Sequence, residues 1–205
     1  MLQEDLFVKL KFTDSQMSAI VSIYDKYFSP SMPLHYEGKG IAALWGEGAQ
    51  WERGKGHDRN HSMDGIVSDE CRHDPIWNEF ADLLPHMSPS ATITKMPAGK
   101  VMRPHVDRQW RPEAIYFPIK DCTELCISEY YDIPKTYTEN SQSIPYFPPP
   151  AYTYAIHDVA VLTNVHEWHG VKNNSEYERI AFGWNMRLKY SFAECKQILS
   201  DLGYI

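Results

Sequence analysis

No stretch of the chain approaches the roughly 18 consecutive apolar residues that a membrane-spanning helix needs. The opening residues, MLQEDLFVKLKF, carry acids where a secretory leader would have a basic and then a long apolar region, so a soluble, cytoplasmic protein with no membrane partner is expected. Cysteine is scarce. Cys71, Cys122, Cys126 and Cys195 lack paired CxxC spacing, which argues against a structural zinc site or a disulfide framework and favours reduced thiols. Positive charge is short as well: 20 Lys+Arg against 27 Asp+Glu leave a net charge of −7. A broad phosphate-binding surface needs a basic footprint, so the balance argues against nucleic acid as a partner while leaving a local basic pocket open.

What the chain does have is apolar bulk. Hydrophobic residues make up 43% of 205 and aromatics 13%, enough to bury a core in one domain spanning 1–205 without staples. Three helices are expected. In TDSQMSAIVSIYDKYF, Met17, Ile20, Tyr24 and Tyr27 recur at helical spacing behind a Thr13/Gln16 capping-box pair, with Ser29-Pro30 as the stop. In DPIWNEFADLL, Asp74 can cap, Pro75 suits the first turn, and Ile76, Trp77, Phe80, Leu83 and Leu84 share one face. A third begins at Ser191 and runs into the segment 191–205.

Elsewhere the pattern changes to short runs of β-branched and aromatic residues at 41–45, 91–96, 114–119, 125–131, 160–165 and 179–188. No helical pattern intervenes from 91 to 190, so antiparallel strands packed as sheets or a barrel are favoured over βαβ units. The expected layout is mainly β with flanking helices: a helical and irregular support over 1–90, a β core over 91–190, and a C-terminal helix. Two long segments read as irregular loops, the glycine-rich 46–60 and the proline-rich 132–151.

Chemistry concentrates in RPHVDRQW, residues 103–110. On an extended strand His105 and Asp107 point to the same side, aiming an imidazole and a carboxylate at one place. A solvated turn after Pro104 would carry the same letters, so a third ligand has to come from elsewhere. TNVHEWHGVKNNSEYERIAFGW offers His166 and His169, and ten residues after His169 stands Arg179, at the start of a strand. Two strands joined by the polar turn 170–178 are expected to lie side by side, bringing the histidine near the arginine. Along that strand Ile180, Phe182, Trp184 and Met186 form a large apolar face, and Arg179, Ala181, Gly183, Asn185 and Arg187 a small polar one with room for a ligand.

An HxD pair, a distal histidine and an arginine ten residues later, together with KMPAGKVMRPHVDR, AIYFPI and HGVKNNSEYERIA, resemble the Fe(II)- and 2-oxoglutarate-dependent dioxygenases over residues 91–188. The resemblance implies a double-stranded β-helix, or jelly-roll and cupin-like, core. It implies His105, Asp107 and His169 as catalytic metal ligands for Fe(II), and 2-oxoglutarate and O2 as cosubstrates. The implied activity is hydroxylation with release of succinate and CO2. It assigns the far carboxylate of 2-oxoglutarate to Arg179, with Tyr116 as a further candidate contact, and prefers His169 over His166 as third ligand. The chain departs from the pattern at 181, where an alanine stands in place of a serine that often helps hold that carboxylate. Arg103, Arg108 and Arg111 flank the motif and are candidates to receive an anionic group of a small-molecule or peptide substrate. The residues leave two other readings open: a non-catalytic cupin-type metal- or ligand-binding protein, which has no need of Arg179, and an interaction domain using the six tryptophans and the proline-rich loop. Oligomeric state is not legible.

Overall fold

A computed structural model describes residues 2–28, 61–66, 69–107, 113–132, 135–139, 142–187 and 189–205. The strand expected at 41–45 and the loop at 46–60 lie outside the described residues. In chain order the elements are β1 (Phe7–Lys9), α1 (Asp14–Ile23), β2 (His61–Ile66), a one-turn α2 (Asp69–Arg72), α3 (Pro75–Leu83), β3 (Met87–Met96), β4 (Val101–His105), β5 (Ala114–Lys120), β6 (Cys126–Tyr130), β7 (Lys135–Glu139), β8 (Gln142–Tyr146), β9 (Tyr152–Ala155), β10 (Val161–Thr163), β11 (His169–Asn173), β12 (Arg179–Met186) and α4 (Phe192–Asp201).

The strands form two sheets and a hairpin, and every pairing is antiparallel. The major sheet runs β1-β10-β5-β12-β3-β2, the minor one β4-β11-β6-β9, and β7 pairs with β8. From β3 to β12 the chain alternates between the sheets, β3, β5, β10 and β12 in the major and β4, β6, β9 and β11 in the minor, except that β6 and β9, either side of the β7–β8 hairpin, pair within the minor one. That winding is a double-stranded β-helix. Among the described residues no helix is long and apolar enough to cross a membrane.

Helix starts follow the local chemistry. Thr13 and Gln16 exchange hydrogen bonds, the Gln16 N–H donating to Thr13 Oγ1 at 3.2 Å and the Thr13 N–H to Gln16 Oε1 at 2.8 Å. Asp74 accepts from the Ile76 N–H at 2.8 Å ahead of Pro75, and Ser191 forms the same reciprocal box with Glu194. Each cap satisfies donors that a helix leaves unpaired, worth ~1 kcal/mol. The helices carry the main core. Trp77 and Phe80 of α3 lie 4.5 and 5.4 Å, ring centre to centre, from Trp184, and Phe12 packs on Tyr204 at 4.5 Å. Ile180, Phe182, Trp184 and Met186 all enter this cluster. Their alternation along β12 therefore turns Arg179 the other way, between the sheets.

Three expectations are corrected. The segment 132–151 is not simply irregular, because β7 and β8 build a hairpin there with Thr136 opposite Pro145. The N-terminal part supplies sheet as well as support: β1 and β2 edge the major sheet, and β3 begins at Met87. Nor do the histidine-bearing run and the Arg179 strand lie side by side. β11 belongs to the minor sheet and β12 to the major, so residues 174–178 carry the chain across the end of the sandwich instead of closing a hairpin.

Candidate metal centre and its cavity

Pairing of β4 with β11 creates the site. His169 stands in register with His105, and the ladder shifts between His169 and Val171. The two imidazole rings come within 4.4 Å, centre to centre, at an interplanar angle of 48°. Asp107 follows β4 and is held by its own backbone, the Asp107 N–H donating to the Val165 carbonyl at 3.0 Å. Its Oδ1 lies 3.6 Å from His105 Nε2. One ligand atom from each of His105, Asp107 and His169 falls within 4.8 Å of the others.

These side chains fit a divalent ion. Neighbouring ligands of a six-coordinate ion with bonds of ~2.1 Å sit ~3 Å apart, so small side-chain rotations close the set. His169 Nδ1 lies 2.8 Å from the Glu167 carbonyl. A carbonyl only accepts, so Nδ1 carries the proton and Nε2 keeps its lone pair for a metal. Two imidazoles and one carboxylate on one side of an ion, leaving the other side open, are the donor set suited to non-haem Fe(II). His166 is turned elsewhere, its Nε2 3.7 Å from Glu113 Oε1.

The three groups open into a cavity of about 530 Å³ between the sheets, a volume that includes its mouth. Arg179 and Tyr116 line it, and so do Thr94, Ser128 and Tyr154, none of which sequence reasoning singled out. Arg179 is 2% exposed, and its Nε and Nη1 have no hydrogen-bond partner among the described residues. A guanidinium stays charged, so the cavity wall presents a fixed cation with unfilled donors. Tyr154 Oη lies 2.9 Å from Thr163 Oγ1, and burial raises its phenol pKa, leaving a neutral hydroxyl. Thr94 stands opposite Ala181 in the β3–β12 register, so a hydroxyl is present across the ladder from the position where residue 181 has only a methyl. Seeing that needed the register, which the sequence did not disclose.

Behind the site lies Glu113, 1% exposed, accepting the Val165 N–H at 3.0 Å. Burial pushes its carboxyl up to about 7; the Val165 N–H opposes that shift, and the charges of Asp107 and Glu167 add to it. Of the three arginines near the motif, Arg103 lies on β4. Arg108 and Arg111 fall outside the described residues.

Solved 2-oxoglutarate-dependent oxygenases resemble this chain. SnoK, a non-haem α-ketoglutarate-dependent carbocyclase from nogalamycin biosynthesis, matches with a TM-score of 0.47 and 13% identity, covering 89% of this chain and 79% of its own. A Pseudomonas putida prolyl-4-hydroxylase matches at 0.47 and 10%, covering 88% and 91%. An oxidoreductase of the 2OG-Fe(II) oxygenase family from Burkholderia pseudomallei matches at 0.34 and 9%, covering 85% and 91%. No protein-family model matches the sequence, and no curated protein does.

Proposed function

We propose that the protein is an Fe(II)- and 2-oxoglutarate-dependent oxygenase that hydroxylates an anionic small molecule or a peptide side chain. The observation that carries this reading is the joint presence, in one cavity, of the His105/Asp107/His169 cluster and the buried guanidinium of Arg179 with unfilled donors. A metal-binding protein without a dicarboxylate ligand has no use for such a cation.

In this reading His105, Asp107 and His169 hold the metal, and bound iron supplies the activation of O2 coupled to decarboxylation of the keto acid. Overall, substrate, 2-oxoglutarate and O2 give hydroxylated substrate, succinate and CO2. Arg179 receives the far carboxylate through a two-pronged contact that a lysine cannot make. Thr94, Tyr116 and Ser128 line the same cavity and supply hydroxyls in place of the side chain missing at 181. The Glu167 carbonyl orients His169, and the apolar walls from Met102, Val165 and Val171 keep bulk water from the reacting centre. Arg103, Arg108 and Arg111 are assigned to an anionic group on the substrate.

The test is spectroscopic. Anaerobic addition of Fe(II) and 2-oxoglutarate to the purified protein is expected to give a weak visible charge-transfer band, absent in Asp107→Ala, and aerobic mixtures are expected to release succinate. Metal binding with neither band nor succinate identifies a cupin-type binding protein instead.

A further inference from the structure

The amide of Asn173 ends β11, four residues beyond His169, and is fully buried at 0% exposure. Both ends of it are saturated. Nδ2 lies 2.8 Å from the Met96 carbonyl, 3.1 Å from that of Pro97 and 2.7 Å from that of Tyr177. Oδ1 accepts from the Ser175 hydroxyl at 2.7 Å, the Ser175 N–H at 3.1 Å and the Cys126 thiol at 3.3 Å. Its backbone N–H donates to the Lys100 carbonyl at 2.9 Å.

The partners are not a random set. Met96 ends β3 and is the register partner of Arg179. Pro97 and Lys100 bracket the turn, with Gly99 at φ +66°, from which β4 departs toward His105. Ser175 and Tyr177 belong to the segment that delivers the chain to Arg179, and Cys126 opens the neighbouring strand β6. One side chain thus joins the strand ends of both sheets at the end of the sandwich from which β12 starts. It stands four positions beyond His169, ~13 Å along β11.

We propose that Asn173 is a positioning residue that sets the interval between the metal cluster and the Arg179 guanidinium, and so the length of the dicarboxylate that can bridge them. This rests on the functional reading above. The two groups that a keto dicarboxylate must reach sit on opposite sheets, and a ligand of fixed length tolerates little sliding of one sheet over the other. Two Nδ2 hydrogens shared among three carbonyls, and an oxygen filled by three donors, leave the amide one orientation, which ties the β3–β4 corner to the 174–178 crossing. No other residue type places two donors and one acceptor on so short a stem.

The test compares two affinities in the same protein. Mn(II), inert toward the oxidative step, is titrated into wild type, Asn173→Asp, Asn173→Ala and Ser175→Ala. The Mn(II)-loaded proteins are then titrated with 2-oxoglutarate and with the one-carbon-longer 2-oxoadipate, below each variant's melting temperature. Asn173→Asp keeps the shape but removes both donors, and Ser175→Ala is the mild variant if the others fold poorly. Expected is a loss of about tenfold or more in 2-oxoglutarate affinity with Mn(II) affinity changed less than about threefold, and a narrowed preference over 2-oxoadipate. Equal losses in both affinities, or variants that bind 2-oxoglutarate as wild type does, overturn the inference alone and leave Asn173 an ordinary buried brace. Failure of wild type itself to bind 2-oxoglutarate overturns the functional reading and this inference with it.

Discussion

Each sheet holds a charged group almost out of water, and the two are treated oppositely. Glu129, on β6 of the minor sheet, is 6% exposed and completed by its own chain: Lys172 on the adjacent β11 donates to Oε1 at 2.8 Å and the Tyr131 hydroxyl donates to Oε2. Arg179, on β12 of the major sheet, is 2% exposed and has Nε and Nη1 unpartnered among the described residues. A buried polar group left without a partner costs ~1–3 kcal/mol, more when charged. Glu129 is closed by its own chain, whereas the donors left open on Arg179 are what an oppositely charged partner from outside the chain would fill.

The sharpest way to break this comparison is Arg179→Met. Removing an uncompensated buried charge is expected to leave stability unchanged or to raise it by ~1–3 kcal/mol. Two lost hydrogen bonds to a charged group, at ~1.5 kcal/mol each, should lower 2-oxoglutarate affinity ~100-fold. Urea midpoints and binding titrations read the two quantities separately. A variant that loses stability and keeps its affinity would make Arg179 a structural cation like any other.

Much of this was legible, for identifiable reasons. Thr13 with Gln16 and Asp74 with Pro75 announce helix starts through bonds that span three residues or fewer, and Ser191 marks a third. The period-two alternation of Ile180, Phe182, Trp184 and Met186 reads directly as a strand with one large apolar face, and in the fold its smaller face is buried as well. The pairing of His105 with Asp107 is visible because it too is local. What escaped is non-local. Three-residue β1 is too short to show a period, and HGVKN of β11 lacks alternating apolar residues. The prolines of 132–151 hid a hairpin whose other residues include good strand formers such as Thr136, Tyr137 and Ile144. That β11 and β12 part into different sheets is set by pairings such as His169 with His105 and Arg179 with Met96, which no local pattern carries. Glu113 and Val165, 52 apart, are the same kind of case.

Glu113 extends the comparison, since it is a buried acid whose neighbours do not neutralise it fully. Its carboxyl is raised from 4.5 to about 7, by burial first. The folded protein therefore keeps a proton that the unfolded chain releases, and the linkage runs one way: stability is fully present below pH ~4.5 and falls as pH rises through about 7. The loss is at most ~3 kcal/mol by the usual conversion of pKa into free energy. Glu113→Gln is expected to flatten this slope and to be the more stable protein at pH 8, read from urea midpoints at pH 5 and pH 8. An unchanged slope would place the pH dependence in another group.

The smallest expected effect tests the minor-sheet half of the comparison. Lys172→Met removes the ammonium from Glu129 and leaves the Tyr131 hydroxyl as its remaining side-chain donor. Breaking a fully buried pair from one side costs ~3–5 kcal/mol, but the Lys172 side chain is 36% exposed, so water screens the charge and can reach the carboxylate. The expected cost is ~1 kcal/mol, and Glu129→Gln in the same background should recover most of it by removing the charge that lost its partner. A cost near ~3 kcal/mol would mean that the minor sheet is as dry as the major one. Desolvation alone would then no longer separate Glu129 from Arg179, and the two would differ in the unfilled donors of Arg179 and its place in the cavity.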